Sequence, residues 1–198
     1  MNLGFMVSGQ GSNMQAIIDA CKSGKLDATP VVVVSNNALA PALERARTEN
    51  IPAYYLGGKS HPDQASLYRE ITRVLKTHNV QLVVLAGYMK KIHEPLLTEF
   101  RNRIVNIHPS LLPDFGGSGM YGIHVHRAVL EAGRKETGVT VHLVDEKYDT
   151  GRILAQEKVP VEPSDTPESL AARVLEVEHQ IYVKVLREIV NGDIRLPG

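Results

Sequence analysis

The chain is predicted to be an α/β protein built on a mostly parallel, twisted sheet with helices on both faces. Short apolar runs alternate with segments of helical period through the first half. Most positions in these runs are apolar, as strands covered on both faces require. Polar residues and glycines gather where these runs end, and open α/β sheets bind ligands at the carboxyl ends of their strands. Repetition of this kind implies right-handed crossovers between parallel strands.

Residues 3–8 form the first apolar run, and residues 12–22 carry Met14, Ile17, Ile18 and Cys21 on one helical face. A Val-rich strand over 30–35 precedes a helix over 40–50 and a strand over 51–56. The next helix spans 62–78, with Leu67, Ile71, Val74 and Leu75 as its apolar stripe. Strands follow over 80–86 and 103–107. Four glycines within 114–122 predict a long mobile loop. Residues 138–144 and 153–161 then predict an antiparallel pair added to the sheet. Thr166 and Pro167 supply an N-cap hydroxyl and a first-turn proline for one long amphipathic helix, marked by Leu170, Val174, Val177, Ile181, Val185 and Ile189. No repeat or linker interrupts the 198 residues, so a single domain over 1–198 is expected.

Lys plus Arg equals Asp plus Glu at 22 each, which gives no electrostatic case for a nucleic-acid or membrane partner. One cysteine, Cys21, excludes an internal disulfide and suits a reducing compartment; its neighbours mark it as a structural thiol. No apolar run reaches the roughly 20 residues that span a bilayer, and Met1-Asn2 leads directly into a strand instead of a signal peptide. The expected location is cytoplasmic, or organellar if a targeting segment is absent.

The stretch Asn106-Ile107-His108-Pro109-Ser110-Leu111-Leu112-Pro113 is the most informative. Side chains alternate along a strand, so Asn106 and His108 share a face. Unpaired, each would cost about 1–3 kcal/mol, and Pro109 holds His108 extended. With Asp149 the pair has the makings of a proton shuttle: a carboxylate fixes an imidazole tautomer and favours its charged form. A neighbouring amide donates to an oxyanion. The alternative is a strand-end histidine satisfied by backbone, with Asp149 merely opening the turn before Gly151.

Val7-Ser8-Gly9-Gln10-Gly11-Ser12-Asn13 forms a strand-loop-helix, where glycines allow close approach and a helix amino end suits a phosphate. Ser12 and Gln15 have capping-box spacing. A dinucleotide fingerprint would need a third glycine where Met14 stands, and an acid where Ser35-Asn36-Asn37 stands. A purely structural turn is the remaining reading. Glu178 falls at the edge of the long helix's apolar stripe, either as a salt-bridged surface residue or as an acceptor for sugar hydroxyls. His124-Val125-His126 would place two imidazoles on one face of a strand, but no third ligand lies nearby, so no metal is expected.

Five ordered blocks make the chain resemble the folate-dependent formyltransferases, and within them the glycinamide ribonucleotide branch: Ser8–Asn13, Leu85–Met89, Asn106–Pro113, Gly138–His142 and Asp149–Gly151. The resemblance spans nearly the whole chain. It implies a single-domain Rossmann-like formyltransferase fold and transfer of a formyl group from 10-formyltetrahydrofolate to the amine of 5-phosphoribosylglycinamide. It implies catalysis by Asn106, His108 and Asp149. Gly11, Ser12 and Asn13 would hold the phosphate and Glu178 the ribose. Met89, Lys90, Lys91, Ile92, Asp145 and Tyr148 would line the folate pocket, with Thr140 and His142 in support. The amino-terminal half would then serve the nucleotide and the carboxy-terminal half the folate, in a monomer or homodimer. Lys90-Lys91 departs from the usual basic-apolar pair, and Gly119-Met120-Tyr121-Gly122 lengthens the loop before His124. A tRNA formyltransferase would need a further basic domain, and a formyltetrahydrofolate hydrolase a domain ahead of the first strand; neither is expected here.

Overall fold

The computed structural model describes residues 1–61 and 63–198. The described strands are β1 (Asn2–Val7), β2 (Thr29–Ser35), β3 (Ala53–Tyr55), β4 (Leu82–Leu85), β5 (Ile104–His108), β6 (Glu136–Leu143) and β7 (Ile153–Pro160). They form one sheet in the order β3-β2-β1-β4-β5-β6-β7. β1 to β5 pair in parallel, whereas β6 and β7 join antiparallel, as the pattern predicts. The chain order reverses between β1 and β4, which opens a crevice at their carboxyl ends. There Ser8 donates its backbone N–H to the Gly87 carbonyl, 3.0 Å away.

Helices α1 (Ser12–Lys22), α2 (Pro41–Thr48), α5 (Ile123–Glu131) and α6 (Pro167–Asn191) cover one face. Helices α3 (Gln64–Thr77) and α4 (Leu96–Glu99) cover the other. The alternation within β1 shows the split: Leu3, Phe5 and Val7 enter the first core and Met6 the second. Helix α6 begins as predicted, with a reciprocal Thr166–Ser169 capping box and Pro167 in the first turn. Tyr182, fully buried on α6, puts its hydroxyl 3.0 and 3.1 Å from the carbonyls of Leu85 and Val105. That fastens α6 to the last residue of β4 and the second residue of β5, one turn beyond Glu178.

Several expectations need correcting. Asp63 caps α3, accepting from the backbone of Ala65 and Ser66, so regular helix starts at Gln64; the predicted start at Pro62 lies outside the described residues. Residues 123–131 are helical, not strand or loop. Their stripe, Val125 and Val129, is only two turns deep and follows a run of glycines that breaks the period. Helix α4, at four residues, is too short to show a period at all.

Candidate active site

One cleft of about 940 Å³ runs along the carboxyl ends of β1, β4 and β5. Asn106, His108, His142 and Asp149 line it, and so do Asn13 and Glu178. Met89, Lys90, Lys91, Ile92, Asp145 and Tyr148 border the same space. Gly11, Ser12 and Thr140 stand outside this lining.

The strand register builds the reacting end. β5 and β6 set Asn106 opposite His142, and His108 opposite Thr140. Asp149 arrives from the β6–β7 connection, in left-handed backbone at φ 56°. Its Oδ2 lies 3.7 Å from His108 Nδ1 and its Oδ1 lies 3.6 Å from His142 Nε2. Gly117 donates its N–H to Asp149 Oδ2 at 2.8 Å, and His108 Nε2 donates to the Phe115 carbonyl at 2.8 Å. The loop predicted only as mobile therefore grips both side chains.

The electrostatics follow from this packing. Burial holds His108 below its ordinary pKa, against the opposing pull of Asp149 and the Phe115 carbonyl, so the ring rests neutral at pH 7. Burial also pushes Asp149 upward, but His142, His108 and the Gly117 N–H together outweigh it and keep the carboxylate ionised. Thr140, fully buried, donates to the Ser110 carbonyl at 2.7 Å and accepts from Leu112 N–H at 3.0 Å and Gln156 Nε2 at 2.9 Å. It thereby fixes the turn that follows His108. Gln156 escaped the sequence reading, because an amide on an edge strand carries no local signal.

At the other end, α1 starts from Gly11, whose φ is 73°. A Cβ there would stand 2.6 Å from Ala42 Cβ, so both conformation and packing require glycine. The predicted Ser12–Gln15 capping box does not form, because Gly11 is the N-cap and Ser12 is already helical. Gln15 turns instead to Asp19 and Glu49. The first-turn N–H groups have no intrahelical partner and no side-chain cap, which suits an anion. Asn13 donates to Glu178 Oε2 at 2.6 Å, and burial pushes the Glu178 carboxyl up to about 7. Asn13 Oδ1 is buried without a partner.

The wall bearing Met89 is tied down by Ser8, whose hydroxyl accepts from Met89 N–H at 2.8 Å and donates to Asn36 Oδ1 at 2.6 Å. On the facing loop, Asp145 accepts from Lys147 N–H at 2.9 Å and Thr150 Oγ1 at 2.8 Å. Met89 and Tyr148 stay 51% and 42% exposed, apolar surface that a flat ring would cover. The two-histidine strand pair is overturned: on α5, positions two apart point about 200° apart and cannot share an ion. His124 packs edge-on against Tyr121, while His126 is buried and lowered to about 4 by burial and by His108.

A family profile described as formyl transferase matches residues 1–186. The chloroplastic phosphoribosylglycinamide formyltransferase of Arabidopsis thaliana is 45% identical over 194 residues, 98% of this chain and 66% of that protein. The chain thus spans just under two thirds of that plant relative's length. The phosphoribosylglycinamide formyltransferase of Escherichia coli (strain K12) is 38% identical over 196 residues, covering 99% of this chain and 90% of the relative. The crystal structure of glycinamide ribonucleotide transformylase 1 from Symbiobacterium toebii superposes with a TM-score of 0.93 at 40% identity, covering 100% of this chain and 91% of that one.

Proposed function

The chain belongs to the formyl transferase family, and on that premise we propose that it transfers the formyl group of 10-formyltetrahydrofolate to the amine of 5-phosphoribosylglycinamide in purine synthesis. One observation carries the reading. A carboxylate from a distant turn stands 3.7 Å from the β5 imidazole and 3.6 Å from the β6 imidazole that meets the Asn106 amide, in the same cleft that Asn13 and Glu178 line beside the start of α1.

In this reading the N–H groups at Gly11, Ser12 and Asn13 take the phosphate, and Glu178 accepts from the ribose hydroxyls. The folate's rings lie between Met89 to Ile92 and the loop 145–149, with Tyr148 and Asp145 at the border. Both sites draw on both halves of the chain, since Glu178 comes from α6 and Met89 follows β4. No metal enters the chemistry. The lone thiol suits a reducing compartment, cytoplasm or organelle.

The neutral amine attacks the formyl carbon, and the C–N bond forms as the carbonyl electrons move onto oxygen. Asn106 donates an amide N–H to that oxyanion. His108 begins neutral, with Asp149 3.7 Å away to favour its protonation as negative charge grows. Asp149 takes the amine's proton through a water. The same water relays that proton on to N10 of the folate as the N10–formyl bond breaks and the carbonyl re-forms, so the proton lost by the amine is the one the leaving nitrogen gains. Holding the reactants together is worth about 7–11 kcal/mol, and one oxyanion donor roughly 3–4 kcal/mol, so positioning dominates.

The test is an assay with 10-formyl-5,8-dideazafolate and 5-phosphoribosylglycinamide. Formyl transfer that needs both is expected. Formate release at the same rate without the acceptor overturns the proposal in favour of a hydrolase.

A further inference from the structure

We infer that His142 is a positioning residue that dictates which way round the Asn106 amide sits, an inference that rests on the formyl transfer proposed above. The two residues face each other across the β5–β6 pair, where Cβ atoms lie about 4.5–5.5 Å apart. His142 is 2% exposed, so its ring nitrogens depend on protein partners.

Nδ1 of His142 lies 2.8 Å from the carbonyl oxygen of Leu143. A carbonyl only accepts, so Nδ1 carries the hydrogen. A neutral imidazole has one N–H, which leaves Nε2 as a bare acceptor. Asn106 Nδ2 is 3.1 Å from that nitrogen. Turning the amide over would set a carbonyl oxygen against a lone pair. The imidazole therefore selects the orientation with NH2 inward, and only one of its two N–H groups is spent on His142. The other remains on a residue that lines the cleft. Asp149 Oδ1 lies 3.6 Å from Nε2, outside hydrogen-bond range, so the Asn106 amide is the partner at bonding distance; a hydrogen on Nε2 directed at Asp149 is the rival arrangement.

The surrounding chain protects the acceptor that starts this sequence of choices. Gly151 packs against the Leu143 carbonyl so closely that a Cβ would collide with its oxygen. Any side chain there must move the group that fixes the His142 proton. A glycine two residues beyond Asp149 thus serves the tautomer of a histidine nine positions earlier.

The direct test is a long-range 1H–15N spectrum of the 15N-histidine-labelled protein, with the His142 signals assigned from His142→Gln. A protonated Nδ1 and a bare Nε2 at neutral pH are expected, and a proton on Nε2 overturns the inference. Kinetics supply the second readout. His142→Phe keeps the ring volume without an acceptor, and kcat should fall on the order of tenfold or more, short of the 10²–10³ lost with the donor itself. KM for both substrates should stay within about threefold, and His142→Gln should restore most of kcat. In an Asn106→Ala background, His142→Phe should cost little more. An equal loss in both backgrounds means that His142 acts by some route other than Asn106, and the inference fails. The spectrum is read on the folded protein without turnover, so it stands apart from the outcome of the transfer assay.

Discussion

At the α1 end the cleft offers backbone N–H groups whose direction follows from one glycine. At the β5 end it offers side chains whose proton positions follow from their neighbours. The first arrangement is indifferent to pH between mild acid and mild base, because amides do not titrate there. It depends on packing, since Gly11 must lie against Ala42. The second survives small shifts of backbone but depends on which nitrogen of His108 or His142 holds a hydrogen. Anchoring and reactivity are thus exposed to different kinds of damage.

Substitutions at the reacting end should separate the two most sharply. Asn106→Ala or His108→Ala should lower kcat by roughly 10²–10³, with KM for the phosphorylated substrate within a few-fold. Steady-state kinetics check this, and near-normal turnover removes that residue from the mechanism.

The boundary between the ends is Glu178, which should give the next largest effect. Its folded pKa of about 7 lies above the ordinary 4.5, so the folded state binds the proton more tightly than the unfolded chain. The stabilisation is complete below 4.5 and is lost as pH rises through about 7, at most about 3 kcal/mol. Melting curves of the free protein should therefore lose Tm between about pH 5 and about pH 8 more steeply than those of Glu178→Gln. Parallel curves would show that Glu178 is not the titrating group.

Gly11→Ala should damage only the anchoring end. Left-handed backbone at an alanine costs roughly 1–2 kcal/mol, before the collision with Ala42 is relieved. A fall in Tm and weaker binding of the phosphorylated substrate are expected, with kcat at saturation little changed; calorimetry and kinetics together decide. The smallest effect belongs to Thr150→Val, which removes the hydroxyl donor to Asp145 and should cost about 0.5–1.5 kcal/mol, read as a few-fold rise in KM for the folate.

How legible each part was depends on how local its cause is. Asn106 and His108 announce themselves because strand alternation and Pro109 act within a few residues. The parallel strands and the capped α6 are local in the same sense. Residue types suggest Asp149 as the partner of His108, but no local pattern fixes its approach to within 3.7 Å, because that depends on the path of the β6–β7 connection. The short α5 disappeared behind the glycines before it, and its His126 with it. The Ser12–Gln15 spacing misled, because the backbone at Gly11 starts the helix one residue earlier than that box requires. His142 sat in a recognisable block, yet its partner depends on β5–β6 register, which no window of sequence contains.

The grips at Phe115 and Gly117 both precede the segment Gly119-Met120-Tyr121-Gly122, which lines the opening of the cleft. Residues added or removed after position 117 alter the lip of the opening while the handholds on imidazole and carboxylate stay where they are. The entrance is free to diversify, by natural drift or by design, without retuning the chemistry behind it.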